Sequence, residues 1–302
     1  MLHYLQELES EAIHIIREAA AEFENPVIFY SIGKDSSVLV RLVQKAFYPG
    51  GMPFPLLHVD TGYKFPEMLQ FRDAFVKRIG ARLIVERNED AIAGGAHPSK
   101  IGMDRCCAQL KTAGLLNAIA KHDFDAALGG ARREEEKSRA TERVFSLRDR
   151  YGQWNPRNQR PEVWDLYNGR INEGETVRVF PLSNWTELDV WHYIKAENIP
   201  VVPLYFARER QVVSRKGILI PVDALDLADS SGGIKNEEVQ SQMCRFRSLG
   251  CIPCTGAVRS DAVTLDQIIN EVASARKSER ANRIIDLTSD SSMEQKKKEG
   301  YF

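Results

Sequence analysis

The sequence predicts an α/β fold: a parallel sheet with helices on both faces, then a less regular C-terminal extension. Three observations carry this. Short apolar runs of strand length alternate with longer stretches whose apolar residues recur at helical spacing. Polar loops follow the apolar runs, where an open parallel sheet binds ligands. From about residue 205 the alternation weakens.

The first segment repeats Leu5, Leu8, Ala12, Ile15, Ile16, Ala19 and Phe23 at helical spacing, and Asn25-Pro26 ends it. Val27-Ile28-Phe29-Tyr30 reads as a buried strand, and a second helical pattern runs through Val38, Leu39, Leu42, Val43 and Ala46. Strands at Leu56-Leu57-His58-Val59, 81–86 and Ala126-Ala127-Leu128 alternate with helices at 67–79 and 106–121. Residues 150–175 have no clear period and are rich in Asn, Pro, Gly and Arg, which suits a long ordered loop with a function. Val177-Arg178-Val179-Phe180 is a further strand, followed by a helix over 187–197. Asp229-Ser230-Ser231-Gly232-Gly233 reads as a mobile break, and a last amphipathic helix passes through Leu265, Ile268, Ile269, Val272 and Ala275. The polar tail 289–298 is expected to dock only through Tyr301-Phe302. The chain divides into an α/β domain, 1–205, and an extension, 206–302, that carries a C-x-x-C pair and the tail.

Composition narrows the class. Hydrophobic content of 43% and charged content of 27% are ordinary for a soluble protein of 302 residues. A formal net charge of −1 gives no support to nucleic-acid or membrane binding. No apolar run approaches the roughly 18 residues of a membrane span. The acidic N-terminal helix is no signal peptide, and five cysteines suit a reducing compartment, so a cytoplasmic enzyme is expected.

Ser31-Ile32-Gly33-Lys34-Asp35-Ser36 lies between a strand and a helix. That position aims backbone N–H groups and a helix N-terminus at the loop, a natural anion site. Gly33 lets the backbone approach a phosphate, Ser31 and Ser36 add hydroxyls, and Lys34 adds charge. A plain capped turn is the alternative. The loop is not a Walker A motif, which needs Gly where this chain has Ile28 and Ser or Thr where it has Asp35.

The S-x-G-x-D-S pattern resembles the pyrophosphate loop of N-type ATP pyrophosphatases, which cleave ATP between its α- and β-phosphates. His58-Val59-Asp60-Thr61-Gly62 with Phe65-Pro66-Glu67 is similar to the second nucleotide loop of phosphoadenylyl-sulfate reductases and sulfate adenylyltransferase small subunits. Residues 129–139, GGARREEEKSR, resemble the arginine loop of the adenylyltransferase form. Phe180-Pro181-Leu182-Ser183-Asn184-Trp185-Thr186-Glu187 and Gly300-Tyr301-Phe302 match it too. The resemblance covers roughly residues 5–302. It implies an adenine nucleotide alpha-hydrolase-like, Rossmann-like fold and transfer of AMP from ATP to sulfate, giving adenylyl sulfate and pyrophosphate in sulfate assimilation. It also implies ATP with Mg²⁺ and a separate GTP-hydrolysing large subunit as partner.

Sulfate needs no general base at neutral pH, so catalysis should rest on positioning and on neutralising charge. Arg132, Arg133, Arg139 and Arg143, in one loop-to-helix stretch, are candidates for sulfate and α-phosphate contacts, because arginine offers paired donors to tetrahedral oxyanions. A solvated charged helix is the alternative. Lys111 is expected to reach the phosphates, and Lys34 and Asp35 the pyrophosphate and its magnesium. Asp60 either anchors the adenosine side or caps its loop, with Thr61 and Gly62 reading the adenine through the backbone. His58 reads as a strand residue, and Trp154, Trp164, Trp185 and Trp191 as packing residues.

Cys106-Cys107 and Cys251-x-x-Cys254 have a spacing used for zinc or iron–sulfur ligation. The arrangement resembles the cluster ligands of adenylyl-sulfate reductases and departs from sulfate adenylyltransferases. Four buried, reduced cysteines are the alternative. Two other functions stay open: a reductase of adenylyl sulfate or its 3′-phosphorylated form, and a nucleotide-binding regulatory subunit. The reductase needs a nucleophilic Cys near the C-terminus, and none follows Cys254.

Overall fold

The computed structural model describes residues 3–215, 217–222, 238–276 and 278–284. The break at 229–233 and the tail at 289–302 lie outside them. Helix α1 is His3–Glu22, β1 Pro26–Phe29, α2 Lys34–Ala46, β2 Leu56–Val59, α3 Pro66–Ile79 and β3 Leu83–Glu86. Short helices α4 (Glu89–Ala93), α5 (Pro98–Ile101) and α6 (Met103–Cys107) lead through a π-helical segment, Ala108–Ala113, into α7 (Gly114–Lys121). Then come β4 (Ala126–Leu128), β5 (Phe145–Arg148), β6 (Thr176–Val179) and α8 (Glu187–Ala196). The extension supplies β7 (Arg208–Arg215), β8 (Ile218–Pro221), β9 (Gln240–Arg245), β10 (Val258–Arg259) and α9 (Leu265–Ser274).

The first sheet has the order β3-β2-β1-β4-β6-β5. It is parallel except for β5, which runs antiparallel to β6 at the edge. Alternate residues of a strand point to opposite faces. Ile28 therefore joins a core with Ile15 and Ile16 of α1, Leu42 of α2 and Trp191 of α8. Val27 and Phe29 pack on the other face against Leu115, Ala118 and Ile119 of α7. Covering both faces is what makes β1 and β4 uniformly buried and apolar. Local signals fix the ends of the helices. Gly80 takes the left-handed conformation after α3, and Thr186 with Asp189 forms a reciprocal capping box at the start of α8.

Three expectations need correction. The extension is a second, four-stranded antiparallel sheet of order β10-β9-β7-β8, whose Val212, Ile220 and Phe246 belong to the same core as α2 and α8. β7 and β9 mix exposed polar residues with few buried ones, so their pattern in sequence is weak. The arginine stretch is not helical: it forms two 3₁₀ turns, Arg133–Glu135 and Lys137–Thr141, before β5. Trp154, Trp185 and Trp191 are packed, but Trp164 is 88% exposed in the loop after β5.

Candidate functional site

Residues 31–36, the carboxyl ends of β1 and β2, and segments of the extension line one cleft. Phe29, Tyr30, Ser31, Gly33, Lys34, Asp35 and Ser36 form its floor. His58 and Val59, then Lys64, form one wall, with Lys111 and Leu115 from the π segment and α7. Gly130, Ala131, Glu135 and Arg139 form another, closed by Tyr205, Ser248, Leu249, Gly250, Glu279, Arg280 and Arg283.

The loop is built for close approach. Ile32 is held at φ 69, in the left-handed region that a β-branched residue rarely adopts. Its side chain is 1% exposed in the core, and that packing offsets the backbone strain. Gly33 then caps α2 with no side-chain bond of its own, so no cap side chain shields the first turn from a ligand. Ser36 Oγ donates to the Gly33 carbonyl at 2.9 Å and accepts from Ser31 Oγ at 3.2 Å, which ties the loop into a cradle. Lys111 sits in the π segment, a helical irregularity frequent at functional sites.

Charge sets what the cleft can hold. Lys34, Lys64, Lys111, Arg139, Arg280 and Arg283 face it, against Asp35, Glu135 and Glu279. Six cations against three carboxylates leave a surplus that suits a polyanion. Glu135 is held down at about 2: burial opposes its ionisation, but Arg280, Arg139, Arg132 and Arg283 outweigh burial. Arg280 Nη1 donates to it at 3.2 Å. Burial also works against the Lys34 ammonium, and Asp35 and Glu279 outweigh that and hold it protonated.

The expected site residues divide. Ser31, Gly33, Lys34, Asp35, Ser36, Lys111 and Arg139 converge on the cleft. Arg132 does not face it: its guanidinium is 1% exposed and donates to Asp35 at 2.8 Å, to Glu134 at 3.2 Å and to Glu279. Arg133 Nη1 donates to Asn184 Oδ1 at 2.5 Å, and Arg143 is exposed. Asp60 accepts the Gly62 N–H at 2.8 Å and so caps its own loop, while Thr61 Oγ1 lies 3.1 Å from Cys251 Sγ. The sequence reading did not pick out Tyr205, Glu279, Arg280 and Arg283. They reach the cleft by tertiary folding from two short connecting stretches, one between α8 and β7 and one after α9, whose own sequences carry no phosphate-site pattern.

The cysteines do gather. Burial, with Cys251 and Cys107 nearby, pushes the Cys106 thiol up to about 12, and burial with Cys251, Cys107 and Cys106 raises Cys254 further. Among the described residues no group of three His, Cys, Asp or Glu side chains stands arranged to hold a metal ion. The ligand set expected of Cys106, Cys107, Cys251 and Cys254 is thus brought into one neighbourhood and is not shown as a metal site. The C-x-x-C turn instead ties the extension to the second loop, with a Lys64–Cys251 bridge and an Ile252 N–H to Tyr63 carbonyl bond of 2.8 Å.

His58 is 1% exposed, and its Nδ1–H donates to the Tyr30 carbonyl at 2.9 Å. Burial, helped by Lys64, lowers its pKa to about 4, so it is neutral in the folded chain. Between pH 4 and 6.5 the unfolded chain binds a proton that the native chain does not, so stability falls as pH drops through that window. The loss from this residue between pH 7 and 5 should be about 2 kcal/mol. Urea unfolding of wild type and His58→Asn at the two pH values checks this; an equal acid loss in both proteins would exclude His58 as the source.

A family profile described as phosphoadenosine phosphosulfate reductase domain matches residues 25–257. A protein named sulfate adenylyltransferase subunit 2 from Bacteroides fragilis (strain YCH46) is 57% identical over 301 residues, covering 100% of this chain and 98% of that one. Proteins of the same name from Phocaeicola vulgatus and Myxococcus xanthus (strain DK1622) are each 58% identical, over 301 and 299 residues. They are covered to 98% and 97%, with 100% and 99% of this chain. Among solved structures, a phosphoadenylyl-sulfate reductase from Candida auris aligns with a TM-score of 0.46 at 17% identity, over 68% of this chain and 90% of that one.

Proposed function

The chain belongs to the sulfate adenylyltransferase subunit 2 family, and on that premise we propose that its cleft transfers AMP from ATP to sulfate. The observation that carries this is the surplus of cations around a strand-to-helix loop in a full-length relative of these nucleotidyltransferases. ATP enters as its magnesium complex, with the β- and γ-phosphates on residues 31–36. A sulfate oxygen attacks the α-phosphorus, the bond from it to the β-bridging oxygen breaks, and pyrophosphate leaves on the loop. No proton needs to move. Arg139 and Lys111, joined by Arg280 and Arg283, neutralise the charge that builds on the two anions. Arg132 acts through Asp35, as a clamp on the loop, and Arg133 has no part at the reacting atoms.

The relatives are subunits by name, so this chain works in a heteromeric complex. Adenylyl sulfate contains a high-energy mixed anhydride, and its synthesis needs a pull. We take the other subunit to be a GTPase that supplies it. Residues 1–205 would hold the nucleotide, and 206–302 would close the cleft and meet the partner. No helix among the described residues is long and apolar enough to cross a membrane; a cytoplasmic location is our reading.

The test is incubation of the chain and its partner with labelled ATP, sulfate and pyrophosphatase. Adenylyl sulfate is expected, in higher yield with GTP. Sulfite would mark a reductase, and no product a nucleotide-binding subunit without turnover.

A further inference from the structure

Glu279 is a buried, charged group at the cleft for which the reaction above has no use. It is 4% exposed, and its carboxylate accepts from Lys34 Nζ and from Arg132 Nη2. Asp35 accepts from the same two side chains, at 3.0 and 2.8 Å. Two cations and two carboxylates thus form a closed ring, with Lys34 and Arg132 each only 1% exposed. An incoming phosphate can reach neither cation unless one carboxylate gives way.

The two carboxylates are not equally placed to do so. Asp35 stands in the first turn of α2, which fixes its backbone beside the two cations. Glu279 is carried on a single 3₁₀ turn, Glu279–Asn282, far along the chain. Its segment is held by side-chain contacts and one bridge: Ser278 Oγ donates to the Glu135 carbonyl at 2.8 Å, Arg280 Nη1 to the Glu135 carboxylate at 3.2 Å and Arg283 Nε to Ser248 Oγ at 3.3 Å, and Arg283 bridges to Thr255. Electrostatics point the same way. Against the effect of burial, Lys34 and Arg132 hold Asp35 low, whereas burial pushes Glu279 up despite the same two cations. Tyr205 does for the backbone what Glu279 does for the side chains: its hydroxyl accepts the Lys34 N–H at 2.9 Å, a donor that a helix N-terminus offers to an anion.

We propose that Glu279 is a positioning residue that occupies the place of a pyrophosphate oxygen on Lys34 before the ligand binds and yields that ammonium to the ligand. This rests on the reading of residues 31–36 as the pyrophosphate site. Glu279 keeps Lys34 aligned before the ligand arrives, and by competing for it speeds pyrophosphate release. Its loss should therefore tighten binding, the opposite sign to that of a residue that helps to bind.

The experiment is calorimetric titration of the full chain with magnesium pyrophosphate, wild type against Glu279→Gln, with thermal melting to confirm folding. The variant should bind about tenfold more tightly, because the competent state no longer has to be freed from a competing carboxylate. In turnover with the partner subunit, kcat should fall while KM for pyrophosphate in the reverse direction also falls, a split that loss of structure alone does not give. Glu279→Asp shortens the reach of the carboxylate and should show the same sign at smaller size, which serves where the Gln variant does not fold. Equal or weaker binding by a folded variant overturns the role of Glu279. Absence of pyrophosphate binding by wild type overturns instead the reading on which it rests.

Discussion

Arg132→Met is expected to lower the unfolding free energy by about 3–5 kcal/mol, the usual cost of stranding a buried charge by removing its partner. The guanidinium joins Asp35, Glu134 and Glu279, and its contact with Glu279 is buried on both sides. Without it, Asp35 and Glu279 are left with one ammonium between them. Methionine fills much of the volume, so the loss reports charge rather than a cavity. Arg132→Lys should recover only part of it, since a single ammonium nitrogen cannot stand at the separate positions from which Nε meets Asp35 and Nη2 meets Glu279. Urea unfolding at pH 7 measures this. A loss under about 1 kcal/mol, the worth of a surface ion pair, would mean that the ring does not exist. Activity should also fall in Arg132→Met, through the loop rather than through lost contact with sulfate.

The parallel sheet was legible because its strands are buried on both faces. Val27-Ile28-Phe29-Tyr30 and Ala126-Ala127-Leu128 are continuous apolar runs, and the chain alternates them with helices of strong period. The strand β5 was not legible. Phe145–Arg148 mixes Ser146 and Arg148 into a run of four, and only pairing with β6 makes it a strand. The second sheet escaped for a related reason: in β7, Arg208 and Glu209 are exposed, and only Val212 and Val213 are buried.

The site was half legible. Residues 31–36 announce themselves by local context, because a strand-to-helix loop with Gly, Ser and Lys does its work within six residues. The arginines did not, because side chains of one type in one short stretch can go anywhere. Arg139 faces the cleft, Arg132 turns inward to the ring, and Arg133 turns out to Asn184. Where Arg132 turns depends on Glu279, far away in the chain and beyond the end of the last helical pattern. The cysteine spacing was a true signal of proximity, since the two pairs do meet. Proximity alone does not make a ligand set, and no group of three ligating side chains stands arranged for a metal among the described residues.

The central claim is that residues 31–36, held at their present height over the sheet, carry the leaving pyrophosphate. Gly130 offers the most direct access to it without touching a charged group. A Cβ built there would meet the Asp35 carbonyl carbon at 3.0 Å and its oxygen at 3.2 Å, both backbone atoms that cannot rotate away. Gly130→Ala must therefore push the loop off its position by a few tenths of an ångström or more, while its own backbone conformation tolerates alanine. Misplacement on that scale can cost about 10²-fold in rate where catalysis rests on positioning. At Gly51 an added Cβ meets nothing within 4 Å, so Gly51→Ala is the control. The measurement is sulfate-dependent exchange of labelled pyrophosphate into ATP by wild type and the two variants, each shown to be folded. The account predicts a loss of about 10²-fold in Gly130→Ala and none in Gly51→Ala. Exchange within about twofold of wild type in a folded Gly130→Ala, or exchange that proceeds without sulfate through an adenylated protein, would contradict it.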